Sequence, residues 1–406
     1  MNRLHTATNQ NSNGFKQTDI GLIPEDWDVY EFESTLADND FSRNNLIPSS
    51  EFKNEGKYPI IDQGQEYIAG YTDIEEKVYK VKEPVVLFGD HTRIFKYIDF
   101  PFVGGADGIK IFTPNLKFYN PKFFYYALTH LKIPSRGYNR HYKLLKEKKI
   151  MRPPLPEQKK IAHVLSKIQQ AIEVQEKIIK TTQELKKALM QKLFTEGLNG
   201  EPQKQTEIGP IPESWEVVEL GSLFKLSSGK RRPEDISELP DGEKNVPIYG
   251  GNGILGYTEF KMLDKPVLVI GRVGEYCGVT YVTDGISWIS DNALYTKSII
   301  REFNIYYMRE FLTYFNLNRF RNRGGQPLVT QGIIHGIKIG LPKIKEQKLI
   351  SSYLESLNAK IQQEKVILES YKDLFQSSLQ QLMTGKIRVK DIESKLEETA
   401  EAVEDV

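Results

Sequence analysis

Two stretches of the chain carry apolar residues at alternating spacings of four and three. The first runs through Ile161, Leu165, Ile168, Ile172, Ile179, Leu189 and Leu193, with Gln175, Thr182 and Lys186 filling the remaining steps. The second runs through Ile350, Leu354, Leu357, Ile361, Leu368, Phe375 and Leu382, with Glu364, Tyr371 and Ser378 between them. A mean period of 3.5 is that of a heptad seam, so the pattern predicts long amphipathic helices over 157–197 and 343–388. Both end in related signals, Leu193-Phe194-Thr195-Glu196-Gly197 and Leu382-Met383-Thr384-Gly385, where glycine can take the left-handed conformation that closes a helix. A seam needs a partner, and the nearest candidate for each helix is the other one. Chain order makes such a pair antiparallel, and about 40 residues at ~1.5 Å rise make a rod of roughly 60 Å.

Outside these helices the apolar runs are short. Val85-Val86-Leu87-Phe88-Gly89 and Val267-Leu268-Val269-Ile270-Gly271 each follow a proline and end in glycine, which predicts short buried strands. Their likeness is part of an internal repeat. The ten residues from Thr18 to Trp27, with Ile23-Pro24-Glu25-Asp26-Trp27 at their end, return without a gap from Thr206 to Trp215, with Ile211-Pro212-Glu213-Ser214-Trp215. Pro59-Ile60 matches Pro247-Ile248, Gly70-Tyr71-Thr72 matches Gly256-Tyr257-Thr258, and Tyr125-Tyr126 pairs with Tyr306-Tyr307 in what reads as one helix per half. Leu155-Pro156 and Leu341-Pro342 close the two globular parts, with about three extra residues, Lys343 to Lys345, before the second helix.

The fold class is therefore α+β, with two similar globular heads joined by two long antiparallel helices in a coiled coil and a pseudo-two-fold internal repeat. The expected divisions are a disordered segment over 1–17, head one over 18–156, the first helix over 157–197, head two over 206–342, the second helix over 343–388, and a disordered acidic tail over 389–406.

Composition narrows the chemistry. A chain of 406 residues exceeds what one core usually organises, which agrees with two heads. The formal charge of +1 gives no whole-molecule attraction for nucleic acid, so any basic footprint must be local. Cys277 is the only cysteine, which excludes disulfides and thiolate metal sites and reads as a small core side chain in a reducing compartment. No stretch approaches the roughly 20 apolar residues of a membrane span, so the expectation is a soluble cytoplasmic protein.

Catalytic signatures fail on context. Gly251-Asn252-Gly253-Ile254-Leu255-Gly256 has dinucleotide-loop spacing but does not open a helix. Asn120-Pro121-Lys122-Phe123 is superficially similar to the Asn-Pro-Pro-aromatic loop of amino-methyltransferases, yet reads better as a turn and helix start. Asp241-Gly242-Glu243-Lys244 reads as a turn, and the six histidines lack metal-ligand spacing, so no catalytic and no metal residues are expected.

Local charge points elsewhere. Between Lys122 and Arg152 stand Arg136, Arg140, Lys143, Lys146, Lys148 and Lys149, with Tyr138, His141 and Tyr142 interleaved and Glu147 the one acid. The second half carries Arg319, Arg321 and Arg323 beside Gly324-Gly325-Gln326, a separate cluster at Lys230, Arg231 and Arg232, and Arg272 after its buried strand, while Asp90-His91-Thr92-Arg93 belongs to the first half alone. Guanidinium groups suit phosphate oxygens and guanine edges, and Gln suits adenine. The DNA-contact candidates are accordingly Arg93, Arg136, Tyr138, Arg140 and Lys143 in head one and Lys230, Arg231, Arg232, Arg272, Arg319, Arg321, Arg323 and Gln326 in head two. Among these, Arg136, Arg140, Arg231, Arg321 and Gln326 are the base-reading choices. One such run alone would read as a solvated loop; runs in both halves favour DNA over a scaffold whose heads bind proteins, or an enzyme with cryptic catalysis.

Ile-Pro-x-x-Trp at the head of both halves, Leu155-Pro156-Glu157-Gln158-Lys159 and Leu341-Pro342 with Glu346-Gln347-Lys348 at the helix starts, and the order head, helix, head, helix resemble the specificity subunit of Type I restriction-modification enzymes, from about Thr18 to Lys390. The resemblance implies two target-recognition domains reading a bipartite double-stranded DNA site, with the helices setting the spacer. It also implies a non-catalytic role beside two methyltransferase subunits and the restriction and translocase subunits, in DNA methylation and defence against foreign DNA. S-adenosylmethionine, ATP and Mg are then cofactors of those partners only. Gln169, Gln183, Gln362 and Gln376 are outward helix positions that a methyltransferase subunit could meet.

Overall fold

The computed structural model describes residues 14–389 apart from Asp107, Arg136, Tyr138 and 323–326. The chain forms two compact units, one of Met1–Gln175 with Ile367–Val406 and one of Glu176–Val366.

The first unit opens with strands β1 (Phe15–Thr18), β2 (Gly21–Pro24), β3 (Asp28–Glu31), β4 (Leu36–Ala37) and β5 (Leu46–Ile47). It continues with β6 (Tyr58–Ile61), β7 (Gly70–Thr72), β8 (Val85–Gly89), β9 (Phe95–Ile98), β10 (Val103–Gly105) and β11 (Ile109–Pro114). Helices α1 (Pro121–His130) and α2 (Tyr142–Lys146), strand β12 (Lys149–Arg152) and the long helix α3 (Leu155–Thr195) follow. Its strands form the sheets β4-β11-β8-β9 and β5-β10-β6-β7, the hairpin β1-β2 and the pair β12-β3.

The second unit repeats the plan. It has β13 (Gln203–Thr206), β14 (Gly209–Pro212), β15 (Glu216–Glu219), α4 (Leu220–Leu223), β16 (Phe224–Ser228), β17 (Val246–Gly250) and β18 (Gly253–Thr258). Then come β19 (Leu263–Asp264), β20 (Leu268–Gly271), β21 (Thr280–Val282), β22 (Ile286–Ile289), β23 (Ala293–Ile299), α5 (Ile305–Phe315), α6 (Gln331–His335), β24 (Lys338–Leu341) and α7 (Ile344–Met383). The sheets are β16-β23-β20-β21 and β18-β17-β22-β19, with the hairpin β13-β14 and the pair β15-β24.

The repeated motif has a structural cause. Gly21 and Gly209 sit at φ +107 and +101 in the hairpin turns, a region that favours glycine. Thr18 and Thr206 each donate a hydroxyl to the carbonyl of that glycine at 2.7 Å. The expected disorder over 1–17 is corrected at its end, since Phe15 is already paired with Pro24 in the first hairpin.

Strand β8 is buried at all five positions, which explains its unbroken apolar run. Helices α1 and α5 start on Asn120 and Asn304, whose side chains accept the N–H of Phe123 at 3.0 Å and of Tyr307 at 2.8 Å. Gly251 lies in the β17-β18 hairpin turn, and Asp241 caps a turn by accepting Lys244 N–H at 3.0 Å.

Every seam position named above is buried or half-buried. In the first unit Ile161 and Leu165 share one core with Leu379, Leu382 and Met383. In the second, Leu193 and Phe194 share a core with Ile350 and Leu354. Direction follows from cross-links within each unit. Arg388 reaches Glu157, while Tyr126, whose hydroxyl meets Ser166 and Gln169, packs its ring on Phe375 at 6.0 Å. Ascending α3 thus meets descending α7. In the second unit Leu198 N–H reaches Glu346, and Glu310 joins Lys186 to Asn358, again antiparallel.

Two alignments read from sequence are corrected. Gln158 donates to Pro153 O and accepts from Asn120 N–H; Gln347 donates to Pro342 O and accepts from Asn304 N–H, all at 2.8 Å. Pro342 therefore corresponds to Pro153, not Pro156, and no three-residue insertion precedes the second helix. With Asn120 opposite Asn304, Tyr126 corresponds to Glu310 rather than to Tyr307.

Candidate nucleic-acid interface

At one end of the first head, the loops after β6 and β8, the turn before β11 and the segment leading into α2 converge on Asp90. Its N–H donates to Gly108 O at 2.7 Å, and its carboxylate accepts the N–H groups of His141 at 2.8 Å and Tyr142 at 2.7 Å. Gln63 closes the cluster by accepting His91 N–H at 3.1 Å. The basic segment ahead of α2 is thus held by a buried carboxylate.

The second head builds the same corner with different chemistry. Arg272 N–H donates to Asn292 O at 2.9 Å, and Val329 N–H donates to Arg272 O at 3.0 Å, as His141 N–H donates to Asp90 O at 2.8 Å. Arg272 therefore stands where head one has Asp90, and Asn292 where it has Gly108. The Arg272 guanidinium donates to Ser228 Oγ at 3.2 Å, and Lys230 N–H to Ile289 O at 2.9 Å. These bonds bring the loop after β16 to the same end as the segment before α6.

The candidates now separate. Arg140 and Lys143 are exposed and have no ion-pair or hydrogen-bond partner among the described residues, and the same holds for the side chains of Lys230, Arg232 and Arg321. Arg231 pairs with Glu234 at 3.2 Å, but with both side chains over four-fifths exposed this pair constrains little. Arg319 stacks on Phe315, 3.9 Å from the ring centroid. Arg93, at φ 64 and half-buried, donates to Ile133 O at 3.0 Å and so supports the segment that carries Arg140. Arg136, Tyr138, Arg323 and Gln326 lie outside the described residues.

Much of the basic stretch of the first half is used internally. Lys146 pairs with Glu33 at 2.7 Å, Lys149 with Asp19 and Glu31, and Arg152 with Asp28 and Tyr30. Lys122 lies 3.9 Å over the Tyr97 ring. The matching segments also place charge differently, since His141 corresponds to Val329 and Arg140 therefore to Leu328. Sequence reasoning missed Gln63, Asp291 and Asn292 as members of these corners; their position after or between strands was the available signal.

A model of the Type I restriction modification DNA specificity domain matches residues 24–184 and again residues 212–370. The chain belongs to this family. It is similar to a Methanocaldococcus jannaschii protein provisionally named the type I restriction enzyme MjaX specificity subunit, 31% identical over 93% of this chain and 97% of that one. The MjaVIII specificity subunit of the same organism is 26% identical over 93% of this chain and 97% of its own length. In fold it is similar to the crystal structure of the S subunit of a Type I restriction-modification system from M. genitalium, at TM-score 0.63 and 18% identity, covering 88% of this chain and 96% of that one.

The globular heads are therefore the recognition domains of a specificity subunit, and DNA reading is favoured over a protein scaffold. Among the described residues no group of side chains could hold a metal ion, and no helix is long and apolar enough to cross a membrane.

Proposed function

We propose that this specificity subunit reads a bipartite duplex DNA site, one half with each recognition domain, and takes no part in the chemistry. The observation that carries this is the pair of loop clusters, built by equivalent backbone hydrogen bonds in both units and each presenting exposed basic side chains without internal partners. Such groups are available for phosphates, which position the protein, and for base edges, which specify the site.

On this reading two methyltransferase subunits bring S-adenosylmethionine chemistry to adenine N6, and restriction and translocase subunits using ATP and Mg join for cleavage. Gln183, Gln362 and Gln376 are exposed on α3 and α7 and available to a methyltransferase subunit. Gln169 is not, because it bonds Tyr126 and Glu173. The number of residues in α3 and α7 sets the spacer.

The test is sequencing of native DNA from a host expressing the chain with and without its methyltransferase subunit. A bipartite modified-adenine motif that requires both is expected. Absence of any new motif from an assembled complex overturns the proposal.

A further inference from the structure

A pocket of about 540 Å³ opens at the loop end of the second head, lined by Arg231, Arg232, Leu255, Ser290, Asp291 and Asn292 among others. Its floor is rigid. Ser290 N–H donates to Tyr249 O at 2.8 Å, Ala293 N–H to Ser290 O at 3.1 Å, and Arg272 N–H to Asn292 O at 2.9 Å. The backbone of the tight turn 290–292 is thus fixed, while the Asp291 and Asn292 side chains are exposed and have no hydrogen-bond or ion-pair partner among the described residues.

Two features mark this turn as built for a ligand. The hydroxyl of Ser290 is buried, with the residue 1% exposed, and has no partner, which costs stability unless something arriving in the pocket satisfies it. Next to it, the Asp291 carboxylate stands in a corner that also holds Lys230, Arg231, Arg232 and Arg272. A carboxylate facing DNA phosphates is repelled, so a surface built only for backbone contact would exclude it. Beside a base edge it has a role, because it accepts from the amino group of cytosine or adenine, and an Asn amide matches adenine N6 and N7.

We infer that the turn Ser290-Asp291-Asn292 is the base-reading element of the second recognition domain, with Asp291 and Asn292 on amino-bearing bases in the major groove and Arg231 and Arg232 on the flanking phosphates. The inference rests on the DNA-reading function proposed above. At the same corner Gly108 and Asp90 stand where the second head has Asn292 and Arg272, so the first head lacks the Asn amide and the guanidinium there, while Asp107 precedes Gly108 in the sequence as Asp291 precedes Asn292.

The experiment compares complexes of the full chain with its methyltransferase subunit carrying Asp291→Ala, Asp291→Asn, Asn292→Ala or Ser290→Ala. Modified adenines in host DNA are sequenced, and thermal unfolding is recorded for each complex. The expected result is relaxation by roughly 5- to 150-fold at one or two positions, confined to the same half of the motif in all variants. Ser290→Ala separates structure from recognition, since removing an orphaned hydroxyl leaves or raises the melting temperature while lowering discrimination. An unchanged motif, or uniform weakening at every position, overturns the inference and leaves the bipartite function standing. A wild-type complex that yields no motif overturns both.

Discussion

The indole nitrogen of Trp27 donates to Glu157 Oε2 at 3.0 Å, tying the opening motif of the first half to the first turn of α3. Trp215 makes the same bond to Glu346 Oε2 at 3.2 Å in the second half. Both rings are fully buried, so the carboxylate is what satisfies a donor that has left water. Each unit also brings the end of one long helix to this point. Gly385, at φ 64, leaves no room for a Cβ beside Pro24, and Gly197, at φ 71, none beside Glu346. The Pro-x-x-Trp repeat is therefore a joint between head and helices.

Arg388 completes the joint in the first unit, bonding Glu157 at 2.5 and 2.7 Å and Asp26 at 2.7 and 3.0 Å. Replacing Glu157 with Gln weakens a charge-assisted bond to the indole and removes the ion pair. The expected loss in urea unfolding is about 1.5–3 kcal/mol. Hydrogen exchange should accelerate around Trp27 and the end of α7 and remain unchanged around Trp215. Equal acceleration at both tryptophans would contradict a local joint.

Salt dependence of DNA binding separates the two classes of basic residue. Arg140→Ala and Arg321→Ala should each lower affinity and reduce the slope of log K against log salt by about 0.9 for each phosphate contact removed. Lys149→Ala and Arg152→Ala should leave that slope unchanged, because their charges are held by Asp19, Glu31 and Asp28. A slope that falls with Lys149→Ala would place the DNA on a different face.

This division marks the limit of what sequence shows. The heptad seam was legible because the apolar residues at every third or fourth position from Ile161 to Leu193 do become buried or half-buried, and the repeat was legible because glycine and threonine are needed at both hairpin turns. Equivalence across gaps was not. Leu155-Pro156 and Leu341-Pro342 are identical in letters, but the hydrogen bonds of Gln158 and Gln347 set the true register. Basic residues were equally deceptive, since a run of lysines does not reveal which ones meet Glu33, Asp19 or Asp28 across the head. Asp90 was visible as a residue but not as the anchor of His141 and Tyr142, fifty-one and fifty-two positions away.

The correspondence of Tyr126 with Glu310 gives a pH prediction. Burial alone pushes the Glu310 carboxyl up, but the Lys186 ammonium at 2.9 Å, together with Arg309 and the Asn358 amide, outweighs it and holds the group below its usual range. A carboxyl with a depressed folded pKa adds stability above its unfolded pKa of about 4.3, and that stability is lost as pH falls through the folded value. The second unit should therefore lose stability below about pH 4.3, and Glu310→Gln should flatten that part of the profile while lowering stability at neutral pH. An identical acid profile in the variant would remove Glu310 from the account.

Asp90 should matter to one half-site only. Asp90→Ala leaves the Tyr142 N–H without its acceptor and the His141 N–H with only the Asp90 carbonyl, which loosens the segment that carries Arg140. Affinity for DNA bearing both half-sites should fall, with discrimination lost in the half read by the first domain and kept in the other. Asp90→Asn retains an acceptor oxygen and should restore most of the discrimination. If Asp90→Asn is as damaging as Asp90→Ala, the negative charge rather than the bond geometry is the working feature.

The length of the helices gives the last prediction. Inserting one heptad after Thr182 in α3 and another after Tyr371 in α7 preserves the seam, because seven residues return each side chain to the same face of a 3.5-residue period. Ile179 and Leu368, both buried, lie one seam step before the insertions, and Leu189 and Phe375, both half-buried, return to the same face after them. The preferred spacer in the modified-adenine motif should lengthen while both half-site sequences stay as they are. An insertion of two residues in each helix instead rotates the following seam positions by roughly 200°, away from their partner face, and should abolish assembly. A longer spacer accompanied by altered half-sites would show that the helices do more than set distance, and an unchanged spacer would show that they do not set it.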